Sequence, residues 1–283
     1  MKSQTGAPYA LALAVAFGLP AETPAEQLVL TPLRDTTLSE DDVNFSNGAG
    51  PFAFIGTTAG GRRRALLKFD LSALPVGAQI MSAQLRFYID KNGAGSGVDT
   101  AVLHRVFSGW DEGSSFATGG GLALATAMDA TWQYRVYGNP PAIPRIEWSA
   151  LGGDFSTSVS ATTTIVSGGP YTFSSTPTLV ADLQGWHVDP TTNHGWAVLG
   201  PEDGRSQTAR RILSRESSAV ANRPTLIIDY ALYAISAQKV PLPLWSSLLL
   251  GVLLCAARGR ATRLRSARAA LLRLPLSSRA PTY

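Results

Sequence analysis

The chain has 283 residues, a formal net charge of +4 and a pI of about 9.4. Seven of its 24 basic residues lie from Arg258 onward, where there is no acid, and Lys2 and Glu22 lie near the N-terminus. The segment from Glu26 to Lys239 therefore holds 16 basic and 19 acidic residues, which argues against a nucleic-acid partner. The only cysteine, Cys255, excludes a disulfide framework, so a hydrophobic core must stabilise the fold.

The N-terminal segment, residues 1–25, has the pattern of a signal peptide. MKSQTGAP carries one positive charge, and the apolar stretch YALALAVAFGL follows it. Small residues between Gly18 and Ala25 offer cleavage sites. We therefore expect export of the chain.

Residues 26–231 read as one all-β domain. Side chains alternate between apolar and polar in ALLKFDL and IMSAQLRFYID, and β-branched residues fill STSVSATTTIV. Gly and Pro, at 27 and 18 residues, punctuate many short strands, which is typical of a β-sandwich of jelly-roll type. TLVADLQGW has helical spacing and predicts one short helix. The predicted core contains Leu67, Phe69, Leu85, Phe87, Ile89, Leu226 and Ile228.

Two charged segments near the start of the domain have simple interpretations. The cluster Arg62–Arg64 is predicted to lie on a solvated strand edge. The segment DTTLSEDDVNFSNGAG gathers carboxylate and amide oxygens in a loop, as calcium sites do. Its candidate ligands for structural calcium are Asp35, Glu40, Asp41 and Asp42, and a solvated acidic loop is the alternative.

Aromatic residues are the candidates for carbohydrate binding, because a ring offers an apolar face to a sugar. Trp110, Trp186 and Trp196 have apolar neighbours and are predicted to pack in the core. The segment WQYRVYGNPPAIPRIEW is rich in Gly and Pro and is predicted to form a long loop. The candidate ligand-binding residues in it are Trp132, Tyr134, Tyr137 and Trp148.

No catalytic constellation fits the sequence. His187, Asp189 and His194 lie close together, but their spacing matches no common zinc motif. Asp111 and Glu112 are adjacent, so on a strand they would point to opposite faces. No GxSxG turn occurs. We therefore expect no enzymatic activity and no cofactor other than structural calcium.

The C-terminal part reads as a linker with a VPLP motif (232–241), an apolar helix (242–257) and a basic tail (258–283). An uncharged run followed by arginines is typical of a membrane span whose basic end stays in the cytoplasm. A buried core helix is the alternative, although it would normally show a polar face. The predicted sorting or anchor residues are Val240, Pro241, Leu242, Pro243, Arg258 and Arg260.

Five motifs in order carry a family resemblance: RRALLKFDLSALPVGAQIMSAQLRFYI, LHRVFSGWDEG, DATW, LVADLQGWHVDPTTNHGWAVLG and SRESSAVANRPTLIIDY. Over about Leu28–Tyr230 the chain resembles DNRLRE-type domains, which are secreted bacterial β-sandwich modules. Some of these are carbohydrate-binding modules. The tail resembles PEP-CTERM sorting signals, with VPLP as the proline motif. The resemblance implies a β-sandwich outside the cytoplasm and a sorting protease as a partner.

Two functional hypotheses follow. The first is an exported, non-catalytic module on the cell surface, held in the membrane by a single pass, that binds polysaccharide or extracellular matrix. The second is a structural or adhesive surface protein without a small ligand, and an enzyme is a third alternative. Solvent-exposed aromatic residues would favour the first hypothesis, and their complete burial would favour the second. Both hypotheses require the export machinery as a partner.

Overall fold

The computed structural model describes residues 25–232. The predicted signal peptide apart from its last residue, the VPLP motif, the apolar run and the basic tail all lie outside the described residues. The strands are β1 (Glu26–Leu30), β2 (Arg34–Ser39), β3 (Phe45–Ser46), β4 (Phe52–Thr57), β5 (Arg62–Lys68), β6 (Ala78–Asn92), β7 (Asp99–Val106), β8 (Ala123–Leu124), β9 (Tyr134–Val136), β10 (Ile146–Glu147), β11 (Phe155–Ile165), β12 (Gly169–Phe173), β13 (Trp196–Leu199), β14 (Arg210–Leu213) and β15 (Thr225–Leu232). The helix α1 spans Pro177–Val188, and single 3-10 turns lie at Pro190–Thr192 and Val220–Asn222.

One 11-stranded antiparallel sheet dominates the fold. Its main order is β1-β15-β6-β14-β4-β5-β13-β7-β11, while β12 pairs with β6 and β2 pairs with β5. Strand β4 pairs with β14 over Phe52–Ile55 but with β5 only at Gly56 and Thr57, so the sheet changes direction there. Gly56 has φ +97°, and an added Cβ would lie 2.9 Å from the Thr208 carbonyl oxygen, so the corner requires glycine. The prediction of an all-β domain is confirmed.

The inner core lies between the two halves of this curled sheet. Strand β6 alternates buried and outward residues, with Leu85, Phe87 and Ile89 pointing inward and Arg86 pointing outward. Side chains of β5, β7, β13 and β15 join them in a single apolar cluster. All seven residues predicted for the core are buried: Leu67, Phe69, Leu85, Phe87, Ile89, Leu226 and Ile228.

A second apolar layer lies on the other face of the β5 half. The connection between β7 and β11, residues 107–154, brings Trp110, Trp132 and Trp148 against Leu38 and Leu66. Strand β5 is therefore buried on both faces, whereas the sequence predicted a half-buried strand. The predicted long loop also contains a short β9–β10 pair.

The helix α1 forms as the sequence predicts. The Thr176 hydroxyl accepts a hydrogen bond from the Leu179 backbone N–H at 3.0 Å, and Pro177 occupies the first helical position. Leu179, Leu183 and Trp186 lie on one face and are buried in the inner core. None of the helical segments within residues 25–232 is long and apolar enough to cross a membrane.

The prediction that Arg62–Arg64 form a solvated edge is wrong. Strand β5 has β2 and β13 as neighbours, so it lies inside the sheet. Arg64 is buried and donates two hydrogen bonds of 2.7 Å to Glu202. Its guanidinium also lies 4.7 Å from the ring centroid of Trp132. Arg62 and Arg64 therefore join the sheet to the second apolar layer.

Candidate functional site

The four aromatic residues predicted to bind a ligand divide into a buried pair and a surface pair. Trp132 is 2% exposed and Trp148 is 6% exposed. Two guanidinium groups, those of Arg62 and Arg64, lie over the Trp132 ring, and the Trp148 indole donates to the Thr131 carbonyl at 2.8 Å. Neither ring offers a face to solvent, because both belong to the second apolar layer.

Tyr134 and Tyr137 form the surface pair. Both rings are half-buried, with centroids 5.8 Å apart and planes at 77°. The Arg145 guanidinium lies 4.5 Å from the Tyr137 centroid and 5.5 Å from the Tyr134 centroid. We name these three residues the tyrosine patch.

Backbone contacts hold the tyrosine patch on the second apolar layer. The Tyr137 N–H donates to the Asp129 carbonyl at 2.7 Å, and Tyr137 accepts from the Met128 N–H at 2.9 Å. The turn passes through Gly138, where an added Cβ would lie 2.3 Å from the Pro144 carbonyl group. The sequence signal for this arrangement was the Gly- and Pro-rich turn between two short β-prone stretches.

Arg145 keeps hydrogen-bonding capacity in this patch. A guanidinium has five N–H groups. Arg145 uses Nε for the Gly138 carbonyl and Nη2 for the Tyr137 hydroxyl, both at 3.2 Å. The remaining N–H groups can donate to hydroxyl or carboxylate oxygens of a bound molecule. Sequence reasoning missed this residue, which lies between Pro144 and strand β10.

A basic groove lies on the outer face of the sheet. It has a volume of about 200 Å³, and its basic residues are Arg63, Lys91 and Arg211. Arg63 pairs with Asp41 at 3.2 Å, and Arg211 pairs with Asp90 while its guanidinium lies 3.9 Å from the Phe52 centroid. Two of the three charges are therefore compensated within the protein.

A cavity of about 420 Å³ lies beside α1 and the end of β5. Its apolar wall is mainly aliphatic, from Leu33, Leu71, Leu74 and Val76, while the Trp186 ring beneath is almost fully buried. This cavity suits an apolar group better than a sugar ring, which prefers an aromatic face. His187 lines it too.

The predicted calcium ligands do not converge. Glu40 accepts two hydrogen bonds from the Arg62 guanidinium, at 2.7 and 2.5 Å, and this contact lowers the pKa of Glu40 to about 2. Asp41 is held by Ser39, Thr58 and Arg63, and Asp42 accepts from the Asn44 N–H. Within residues 25–232, these four residues together form no group of potential metal ligands, because Glu40, Asp41 and Asp42 lie apart from Asp35.

Asp35 lies instead with two carboxylates that sequence reasoning did not combine with it. In residues 25–232, the one group of three or more potential metal ligands is Asp35, Glu112 and Glu216, which we name the carboxylate cluster. Arg215 donates to Glu112 at 2.8 and 2.6 Å. Burial, followed by the charge of Glu216, raises the pKa of Asp35 well above its usual range, and burial also raises the pKa of Glu216.

The residues weighed for catalysis are engaged elsewhere. Asp111 pairs with Arg34 at 2.5 Å, and Glu112 pairs with Arg215 at 2.6 Å. Asp189 accepts hydrogen bonds from Thr191, and within the described residues it forms no metal-ligand group with His187 and His194. Two carboxylates flanking a sugar would need to be free for acid and base roles.

The comparison with known families agrees with this structure. The model of carbohydrate-binding module family 96 matches residues 26–115 of this chain. This range contains β1–β7, Asp35 and Glu112, and ends before the tyrosine patch. No curated protein matches the chain. The match supports a carbohydrate-binding-module-like domain, and such modules are non-catalytic.

Proposed function

We propose that the described domain is a non-catalytic polysaccharide-binding module with a jelly-roll-like sandwich of the DNRLRE type. The observation that carries this proposal is the match to carbohydrate-binding module family 96 over residues 26–115, on an antiparallel β fold. A rigid sheet that presents side chains on its connecting segments suits binding to a polymer without cleavage.

We place the polysaccharide contact at the tyrosine patch. Tyr134 and Tyr137 remain half-exposed, whereas all five tryptophans of residues 25–232 are buried: Trp110, Trp132, Trp148, Trp186 and Trp196. The rings offer apolar area to the C–H face of a sugar, and the free N–H groups of Arg145 can donate to its hydroxyl groups. The basic groove is the alternative location.

The proposal predicts that Tyr137→Ala weakens binding to a polysaccharide selected on a glycan array. Losing an aromatic contact costs about 1 kcal/mol, which corresponds to roughly five- to tenfold in Kd. Affinity gel electrophoresis of Tyr134→Ala, Tyr137→Ala and Arg145→Ala measures this loss. Tyr88→Ala is the matched control, because Tyr88 is a half-buried tyrosine of β6 outside the tyrosine patch. Lys91→Ala tests the basic groove.

A structural or adhesive role without a small ligand is the second candidate. The burial of all five described tryptophans favours it, because none of these rings is available for stacking. Retained fold without affinity for any glycan of the array would support this candidate. Turnover of a glycan that a single carboxylate substitution abolishes would contradict both candidates.

We further propose that the module is exported and anchored, with the C-terminal run as a single span and VPLP as a sorting motif. The apolar run, the arginines after it and the N-terminal signal pattern support this proposal. Full-length protein should fractionate with the membrane and expose its domain outside, whereas a chain that ends at Lys239 should be soluble and exported. Equal behaviour of the two chains would contradict an anchor, and intact tail peptides on all mature protein would contradict cleavage.

A further inference from the structure

We propose that Asp35, Glu112 and Glu216 bind one Ca²⁺ ion that joins three distant segments of the chain. Asp35 lies on β2, Glu112 lies in the connection after β7, and Glu216 follows β14. One carboxylate oxygen from each residue lies within 4.8 Å of the other two. The site is distinct from the four residues that the sequence suggested for calcium, of which it shares only Asp35.

The hydrogen bonds of Asp35 are incomplete. Asp35 is 0% exposed, and its Oδ2 accepts the Arg215 backbone N–H at 2.7 Å. Its Oδ1 receives no hydrogen bond from the described residues, and the same is true of the buried Oε2 of Glu216. An ionised oxygen without a donor is costly to bury. A cation between the carboxylates would supply the missing positive partner.

Two other buried aspartates of residues 25–232 do not share this deficit. Asp129 accepts from Ser115 at Oδ1 and from Thr126 at Oδ2. Asp99 pairs with Arg205 through Oδ1 and with Arg210 through Oδ2. Both oxygens of each residue are satisfied within the protein. Asp35 differs from these two aspartates because its buried Oδ1 receives no hydrogen bond from the described residues.

The donors and their spacing fit Ca²⁺. Ca²⁺ takes oxygen ligands at about 2.3–2.6 Å, so two ligands on opposite sides of the ion are about 5 Å apart. The 4.8 Å limit on the three oxygens lies within such a shell. All three ligands are carboxylates, which suits a hard cation and not zinc. Mg²⁺ keeps several of its waters and is usually held by one or two carboxylates, so a group of three carboxylates favours Ca²⁺.

Arg215 does not replace the ion. Its Nε and Nη2 contact Glu112, and its Nε also lies 2.7 Å from Glu216 Oε1. Asp35 accepts a hydrogen bond from the backbone N–H of Arg215, and its Oδ1 receives none from the described residues. The three carboxylates and this arginine have a formal charge of −2, which a divalent ion balances. Arg215 thus orients the carboxylates of Glu112 and Glu216, while Oε2 of Glu216 receives no hydrogen bond from the described residues.

The test uses full-length protein stripped of metal with EDTA and returned to metal-free buffer. Isothermal titration with CaCl2 should show one ion per chain, and CaCl2 should raise the Tm relative to excess EGTA. Glu216→Gln keeps the shape of the side chain but removes a charged ligand. It should weaken Ca²⁺ binding at least about tenfold and abolish the rise in Tm. Asp35→Asn should do the same.

Glu40→Gln is the matched control, because Glu40 is an arginine-paired carboxylate of the same part of the chain outside the carboxylate cluster. It should retain the affinity for Ca²⁺ and the rise in Tm. If Asp35→Asn does not fold, Glu216→Gln decides the outcome, since Glu216 is only partly buried. Absence of binding heat with equal Tm in CaCl2 and EGTA would overturn the proposal. An unchanged affinity in folded Glu216→Gln would overturn it too.

Discussion

Several arginine side chains of this protein pair with a carboxylate and also cover an aromatic ring. Arg64 pairs with both oxygens of Glu202 and covers Trp132, and Arg211 pairs with Asp90 and covers Phe52. A guanidinium can do both because it is planar, whereas a lysine ammonium is a point charge. Arg64 of β5 and Arg211 of β14 therefore serve packing as much as electrostatics.

The Glu40–Arg62 pair contributes to the free energy of unfolding in a way that depends on pH. The contact with Arg62 holds the pKa of Glu40 at about 2, below its usual value of 4.5. Because the folded pKa is lowered, the stabilisation is present above about pH 4.5 and disappears as the pH falls toward 2. We expect Glu40→Gln to lower the free energy of unfolding by about 1 kcal/mol at pH 7, since the pair is partly exposed.

Urea unfolding of wild type and Glu40→Gln at pH 7, 4 and 2.5 measures this difference, which should shrink as the pH falls. Glu147→Gln is the control, because Glu147 is exposed and its side chain accepts only from Gln133. A difference that stays constant across these pH values would contradict a contribution from the ionised pair.

At the scale of elements, α1 shows how one hydroxyl fastens a helix to the sheet. The Thr176 hydroxyl accepts from the Leu179 N–H and donates to the Ser160 carbonyl on β11. It therefore satisfies a helix N-terminus and a strand carbonyl together. The helix lies over the end of the inner core, where it buries Leu183 and Trp186.

We expect Thr176→Ala to destabilise the fold by about 1 to 2 kcal/mol, because both hydrogen bonds are lost. For a domain of this size the Tm should fall by roughly 2–8 °C. Differential scanning calorimetry measures the shift. Thr176→Ser keeps the hydroxyl and should stay close to wild type, and an equal loss in both variants would assign the effect to the threonine methyl group.

At the scale of the whole molecule, the inner core was predictable and the second apolar layer was not. Period-two alternation placed Leu85, Phe87 and Ile89 on one face, and this face is the core. The same alternation placed Leu66 on the opposite face, but it did not predict which residues pack against that face. The consecutive apolar residues Ala65–Leu67 were a signal for a strand buried on both faces.

The candidate sites were predictable only in part, for a related reason. Irregular, proline-rich sequence located the Tyr134–Tyr137 segment but did not distinguish an exposed tyrosine from a buried tryptophan such as Trp132. The carboxylate cluster joins residues that are 77 or more positions apart along the chain, as the Asp35–Glu112 hydrogen bond does. Local spacing carries no information about such contacts, because strand pairing in the folded sheet creates them.

The two apolar layers share β5, so they should unfold together. Leu66 and Leu67 are adjacent, but Leu66 packs in the second apolar layer and Leu67 packs in the inner core. Arg64 donates a hydrogen bond to the Gly152 carbonyl, which belongs to the segment of the second apolar layer. Removing a side chain that packs on one face of β5 therefore weakens this strand. The layer on the other face packs on the same strand and is destabilised too. We expect Trp132→Ala to cost about 3–5 kcal/mol and to lower both layers' stability in one cooperative transition.

Denaturant unfolding followed by tryptophan fluorescence and by far-ultraviolet circular dichroism tests this coupling. Fluorescence reports tryptophans of both layers, and circular dichroism reports the sheet. The two transitions should coincide in wild type and in Trp132→Ala, with the midpoint of the variant shifted to lower denaturant. Trp132→Phe should shift it less, because an aromatic ring still fills most of the space. A variant whose fluorescence changes well before its sheet signal would show that residues 107–154 unfold as a separate layer.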